Sequence, residues 1–414
     1  MIKLIEKTVF KEKPSEKTGV IANTYYTGNG LNLMCEYSYI HLSDITDVAY
    51  RQFSDDHGKT WSEPLVRTTQ EKLDHGILRD NIRSPVVYKK KNLLITFGVT
   101  GILPTGDPLE GLKWWHVYYM VSKDQGKTYH INERIILNGD EYDEKHPVTD
   151  VYEGKNSVMI GDTTELAIIT EHQKSDEDND CLLLPVQITP IGPDGEYYNP
   201  GGGYTYHYSA VIRGKIADDG HINWESISNK IENDPAISTR GAIEPTIIEL
   251  DDGRILMVLR GSNGGTKDVD CRLPGYRWFS YSEDGGRTFK KPVPWMFNNH
   301  EPFYSPSSCS QLLKHSNGKI YWIGNISKEN PKANMPRNPI YIAEVDQTSL
   351  LLKKDTLFVI DKVSEGQSAN TTFSNFYARE DKVTQHIILH ITPFHQQPDN
   401  IFGSHSYRYE LEVK

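Results

Sequence analysis

Cysteine is scarce in this chain, and long apolar runs, helical periodicities and an excess of positive charge are missing. The four cysteines among 414 residues, Cys35, Cys181, Cys271 and Cys309, lack C-x-x-C spacing. They make no disulfide framework and read as free thiols. No segment approaches the ~20 apolar residues of a membrane span, and Met1 to Lys7 lacks the apolar stretch of a signal peptide, so a soluble, cytoplasmic protein with no membrane partner is expected. A formal net charge of −11 argues against nucleic acid as a partner. No G-x-S-x-G element surrounds a serine, which leaves serine-nucleophile chemistry without support. No Pro/Gly/Ser-rich linker divides the chain, so residues 1–414 are expected to form one domain.

What the chain does contain is turns and short strands. It carries 32 Gly, 22 Pro and 24 Tyr, a composition suited to many short strands joined by tight turns. Thr246 to Leu250, the turn Asp251 to Arg254 and Ile255 to Leu259 read as a hairpin, as do Gln311 to Leu313, Ser316 to Gly318 and Ile320 to Ile323. One motif, S-x-D-x-G-x-T-aromatic, occurs three times: at Ser54, Asp56, Gly58, Thr60 and Trp61; at Ser122, Asp124, Gly126, Thr128 and Tyr129; and at Ser282, Asp284, Gly286, Thr288 and Phe289. The chemistry is that of a hairpin staple. The carboxylate accepts backbone N–H bonds, the glycine takes positive φ, the hydroxyls tie the loop ends and the aromatic packs below.

The spacing of these motifs suggests a repeat. Asp56 and Asp124 are 68 residues apart, close to one sixth of 414. Asp124 and Asp284 are 160 apart, which fits two blades with an insertion, or one blade whose own motif has decayed, and a degenerate copy stands at Asp218, Gly220 and Trp224. The C-terminal run Ser406 to Val413 alternates like a strand and is expected to pair with one near Thr8 to Phe10, closing a ring.

The triple motif is the Asp box, and it resembles the bacterial neuraminidase repeat of the sialidase superfamily. The resemblance implies an all-β, six-bladed β-propeller of four-stranded antiparallel blades, with the boxes on the side away from the active site. It covers most of the chain at superfamily level. Gly241 to Arg260, with the third box about twenty residues beyond, looks like the sialidase segment in which a Glu orients the nucleophile and an Arg one hairpin later binds the substrate carboxylate. That carries over to Glu244, which should sit at a blade entrance, and to Arg260. Asn330-Pro331 followed by Arg337-Asn338-Pro339 resembles the stretch supplying another carboxylate-binding Arg, here Arg337. The acid/base Asp of sialidases lies ten residues before a box Ser, as Asp44 does before Ser54, with Asp47 as the competitor.

Two departures separate the chain from that family. Nothing in Ile21 to Tyr26 supplies the first Arg of the sialidase triad, leaving Arg83 and Arg240 as the residues that could complete it. Phe373 stands where the nucleophilic Tyr is expected, and a phenyl ring cannot attack an anomeric carbon. Ordinary sialic-acid hydrolysis is therefore not expected.

Two carboxylates facing each other across a propeller mouth suffice for glycosidic cleavage. Glu244 is one; its partner is Asp44 by the sialidase analogy, or Glu171, since propeller exo-arabinanases of the same superfamily use two Glu on neighbouring blades, with Glu165 as a weaker candidate. The run Gly201 to Ser209 combines three glycines with Tyr204, Tyr206, His207 and Tyr208, suited to close backbone approach, stacking on sugars or proton transfer. Tyr304 to Ser310 is a further candidate for the mouth. The acidic run 174–180 lacks the glycine and distal Glu of an EF-hand and reads as a solvated loop. No cofactor or metal is expected. The sequence thus points to an exo-acting glycoside hydrolase on a terminal sugar, acidic or neutral, of an oligosaccharide or polysaccharide. Two alternatives stay open: a polysaccharide lyase using Arg260, Arg337, His207 and Tyr208, and a non-catalytic carbohydrate-binding propeller.

Overall fold

The computed structural model describes residues 1–414 except 44, 47, 68, 83, 137–156, 161–167, 170–180, 191 and 195. Six antiparallel sheets form the six blades of a β-propeller. The first blade is Gly19–Tyr26, Leu33–Ile40, Val48–Ser54 and Leu65–Arg67 from the axis outward. The second is built on Leu93–Leu103, His116–Ser122 and Ile131–Arg134. Its inner strand is divided into Gly76–Ile82 and Val86–Tyr88, both paired with Leu93–Leu103, and Gln70–Leu73 adds a short hairpin. The third comprises Ser157–Ile160 and Ile168–Ile169, then Cys181–Thr189, Tyr208–Ile216 and Ile222–Ile227. The fourth, Ile243–Glu249, Ile255–Arg260, Arg277–Ser282 and Val293–Pro294, and the fifth, Gln311–Lys314, Ile320–Asn325, Ile340–Val345 and Phe358–Asp361, include both expected hairpins.

The sixth blade closes the ring with both chain ends. Phe376–Glu380, Ile387–Ile391 and Ser406–Val413 are completed by Ile2–Lys11, in which Thr8 opposes Arg408 and Val9 opposes Tyr407. This is the expected pairing, and it extends over most of the first ten residues. Closure matters because an open ring would leave one unpaired strand edge on each side of the gap.

The boxes staple the turns between third and fourth strands in the first, second and fourth blades. In each, the Ser hydroxyl donates to the Asp carboxylate at 2.7–2.8 Å, and the Thr backbone N–H and hydroxyl donate to it at 2.8–2.9 and 2.6 Å. The glycine N–H donates back to the Ser oxygen at 2.7–2.9 Å. Of the two readings of the long interval, the single intervening blade is the one observed. Its degenerate turn keeps Gly220 at φ +99°, and Trp224 is buried below it.

Middle strands are covered on both faces by neighbouring blades, so they read as continuous apolar runs; all of Ile255–Arg260 is buried. Large apolar clusters seal the second blade to the third, the third to the fourth, the fourth to the fifth and the fifth to the sixth. Trp295 and Trp322, both fully buried, meet edge to face at 5.5 Å in one of these seams. The first blade is held by a smaller cluster around Tyr25, Met34, Leu94 and Tyr377. Helix is confined to single turns among the described residues, and none is long and apolar enough to cross a membrane.

Candidate active site

The box turns fix one end of the propeller. Loops joining second to third strands, and crossovers between blades, must emerge at the other. Glu244, Arg260, Arg240, Arg337, His207 and Tyr304 all belong to that opposite end, on the third to fifth blades.

Glu244 lies at the start of the inner strand of the fourth blade, inside a bulge where the register to Ile255–Arg260 slips between Ile243 and Thr246. Its φ of +47° is a left-handed value that a non-glycine residue adopts at a cost of about 1–3 kcal/mol. The bulge turns this carboxylate out of the strand's alternation. Gln187, from the second strand of the third blade, holds the strained unit by accepting the Glu244 N–H at 3.0 Å.

Arg260, at the end of the next strand, donates to the Glu244 carboxylate and forms an ion pair in which both side chains are only 6% exposed. Its Nε donates to Ser307 Oγ at 2.7 Å and its Nη2 to Asn334 Oδ1 at 3.3 Å. Arg337 donates from Nε to the Asn334 backbone carbonyl at 3.2 Å and from Nη1 to Ser374 Oγ at 3.1 Å. Asn334 thus bridges the two guanidiniums, one through its side chain and the other through its backbone.

Arg240 is the third guanidinium. It is buried on the crossover from third to fourth blade, with Nε donating to Thr205 Oγ1 at 3.2 Å and the exposed Tyr204 ring 5.8 Å away. Burial, then the positive charges of Arg260 and Arg337, pull its pKa down to about 9, against the opposing pull of Glu244. Three guanidiniums and one carboxylate therefore share one field, with positive charge in surplus. The glycines Gly201 and Gly203 have a packing role here. A Cβ on Gly201 would stand 2.0 Å from the Thr239 carbonyl, and one on Gly203 2.6 Å from Arg240 Cγ. Their bareness lets the loop lie against the segment that carries Arg240.

Two expectations from the same segment need correction. His207 is 2% exposed, its Nδ1 hydrogen-bonds Thr189 Oγ1 at 3.1 Å, and its backbone ties Arg240 and Ala242 to the third blade. Burial, together with Arg240 and Arg260, pulls its pKa down to about 3, so it is a neutral, enclosed support for Arg240 and not an exposed proton carrier. Tyr208, on the opposite face of the strand, packs against the seam between second and third blades with Lys230 4.5 Å over its ring. It is not placed to bind a ligand with the arginines. Tyr304 is half-buried and stacked on Tyr276 at 6.0 Å, on the crossover that also delivers Ser307.

Phe373 is buried in the seam between fifth and sixth blades, and its N–H donates to the Arg337 carbonyl at 2.9 Å. Its ring packs in that seam, and its contact with Arg337 is through the backbone. Asp44, Asp47, Arg83, Glu165, Glu171 and the acidic run 174–180 lie outside the described residues. Sequence reasoning missed Gln187, Asn334 and His395, whose imidazole is held below its usual pKa by burial and by Arg337. Among the described residues no group of three His, Cys, Asp or Glu is arranged to hold a metal.

The BNR/Asp-box repeat family matches residues 52–63. Solved structures share the fold over the whole chain. A protein of unknown function from Dyadobacter fermentans DSM 18053 is 13% identical with a TM-score of 0.62, covering 100% of this chain and 99% of its own. The intramolecular trans-sialidase from Ruminococcus gnavus, solved with oseltamivir carboxylate, is 12% identical with a TM-score of 0.58, over 99% and 97%. The α-L-arabinanase of Penicillium chrysogenum, solved with arabinobiose, is 12% identical with a TM-score of 0.51, over 99% and 98%. No curated protein matches the sequence. The chain is therefore an Asp-box, six-bladed propeller of sialidase-like fold. At such identities the likeness defines architecture, and function must be argued from the site.

Proposed function

We propose that the protein is an exo-acting glycoside hydrolase that removes a terminal acidic sugar from an oligosaccharide or polysaccharide. The observation that carries this reading is the Glu244–Arg260 ion pair, with Arg337 linked to Arg260 through Asn334 and Arg240 within the same charge field. A planar guanidinium matches a carboxylate with two parallel hydrogen bonds, and a surplus of positive charge among largely buried groups favours an anionic group over a neutral one. An arriving carboxylate competes with Glu244 for Arg260. Displacement of Glu244 from that ion pair frees its oxygens at the moment the substrate is seated. Glu244 then serves as nucleophile, or as base for water, while a second carboxyl group, Asp44 or Glu171, protonates the leaving oxygen.

The enclosure of His207 and the packing of Tyr208 weigh against the lyase reading, which needs a proton carrier facing the substrate. Incubation of purified protein with oligosaccharides ending in acidic or neutral sugars, with products identified by mass, tests the proposal. Release of an acidic monosaccharide with a new reducing end supports it. An unsaturated uronate, or binding without turnover, refutes it.

A further inference from the structure

The first and second blades leave a cavity of about 510 Å³ between them. The second blade contributes a residue from each of its strand positions: Asp80 from the inner strand, Thr100 from the next, His116 and Tyr118 from the third and Asn132 from the outermost. Arg67, ending the outermost strand of the first blade, faces them. The cavity is therefore a cleft running outward along the face of a blade. The Glu244 cluster stands on other blades, the fourth and fifth, supported from the third.

The lining is polar and partly unsatisfied. His116 is 5% exposed, and its Nδ1 has no hydrogen-bond partner although the residue lines the cleft. A buried polar nitrogen left in this way is destabilising unless a ligand or water meets it. Tyr118 donates its hydroxyl to Asp80, and Arg67 lies 3.4 Å from the same carboxylate. Charge is close to balanced: Arg67 and Arg134 face Asp80, Glu71 and Glu133. Leu78, Ile82 and Met120 add apolar surface between the polar groups.

We propose that this cleft is a second sugar-binding site, separate from the Glu244 cluster, that takes one or two neutral sugar residues of a glycan. A neutral sugar carries donors and acceptors around its rim and apolar C–H faces, and it meets both classes of group here. An anion would meet three carboxylates and a cation two guanidiniums. The volume lies within the range of small-molecule sites. Burial and the neighbouring Arg134 pull the His116 pKa down to about 3, so the imidazole is neutral at physiological pH and suited to a sugar hydroxyl.

Saturation-transfer NMR with D-glucose, D-galactose, L-arabinose and L-rhamnose as probes tests the site, independently of whether the Glu244 cluster is hydrolytic. At least one probe is expected to bind wild type. Its affinity should fall about tenfold or more in a folded Arg67→Ala/Asn132→Ala double variant and stay unchanged in Arg260→Lys. Asn132 is exposed and Arg67 is partly exposed, and an unchanged melting temperature establishes that the variant folds. Failure of all four sugars to bind, binding indifferent to the double variant, or binding lost in Arg260→Lys would each overturn the proposal.

Discussion

Glu244 and Arg260 form a buried ion pair across a β-bulge, with the carboxylate held at positive φ by Gln187. The pair draws on two strands of one blade and a side chain of its neighbour, so its geometry depends on the assembled ring. Glu244→Gln should lower kcat by ~10²-fold or more, since the charge used in the transition state is gone. It should also lower the melting temperature, by a loss of about 1–3 kcal/mol as the buried guanidinium loses its counter-charge. Wild-type turnover in a folded Glu244→Gln protein would remove Glu244 from the mechanism.

Arg260→Lys addresses the arginine cluster. An ammonium cannot keep the bonds to Ser307 and Asn334 and also present a planar fork, so KM for an acidic substrate should rise at least ~10-fold with a smaller change in kcat. Steady-state kinetics on the cleaved oligosaccharide read both values. An unchanged KM would place the carboxylate elsewhere.

Gly201→Ala should weaken the site without touching a ligand-facing side chain. The added methyl would meet the Thr239 carbonyl at 2.0 Å, and that backbone cannot yield without moving Arg240. A raised KM for acidic substrates and a lowered melting temperature are expected together. A fully stable variant with unaltered KM would show that this contact does not position Arg240.

The Asp boxes predict a pH dependence of stability. Asp56 and Asp124 are held at about 2 chiefly by hydrogen bonds from Thr60 and Thr128. In Asp284 burial pushes upward, but bonds from Thr288 and Ser282 outweigh it and hold the pKa at about 2. Folded values depressed below the ordinary aspartate 3.8 give stability that is complete above about pH 4 and lost as pH falls towards about 2. Asp284→Ala should flatten that acid limb and cost about 1–2 kcal/mol at neutral pH through lost turn hydrogen bonds, with turnover of the folded fraction intact. Denaturation followed from pH 7 to pH 2 checks both, and selective loss of turnover at unchanged stability would contradict the structural role.

The box turns, the ring closure and two hairpins were legible in sequence because each is a local pattern of hydroxyl, carboxylate, glycine and alternating side chains. The third blade was left ambiguous because its box keeps Gly220 but not the full hydroxyl set. Arg260 and Arg337 could be read from short motifs. Asn334 and Gln187 could not, since each acquires its role only when separate strands or blades meet in the ring. His207 and Tyr208 misled for a related reason. His207 is enclosed by the crossover that carries Arg240 and Tyr208 packs in a seam between blades, which a run of Tyr and His does not reveal.

The central claim is that the arginine cluster reads a carboxylate at the reacting sugar. For whichever oligosaccharide the protein cleaves, competitive inhibition by the free acidic sugar, set against its neutral amide, tests that claim most directly. The acid should inhibit at least ~10-fold more strongly, and the difference should shrink in Arg260→Lys and at high salt. Equal inhibition by acid and amide would contradict the account.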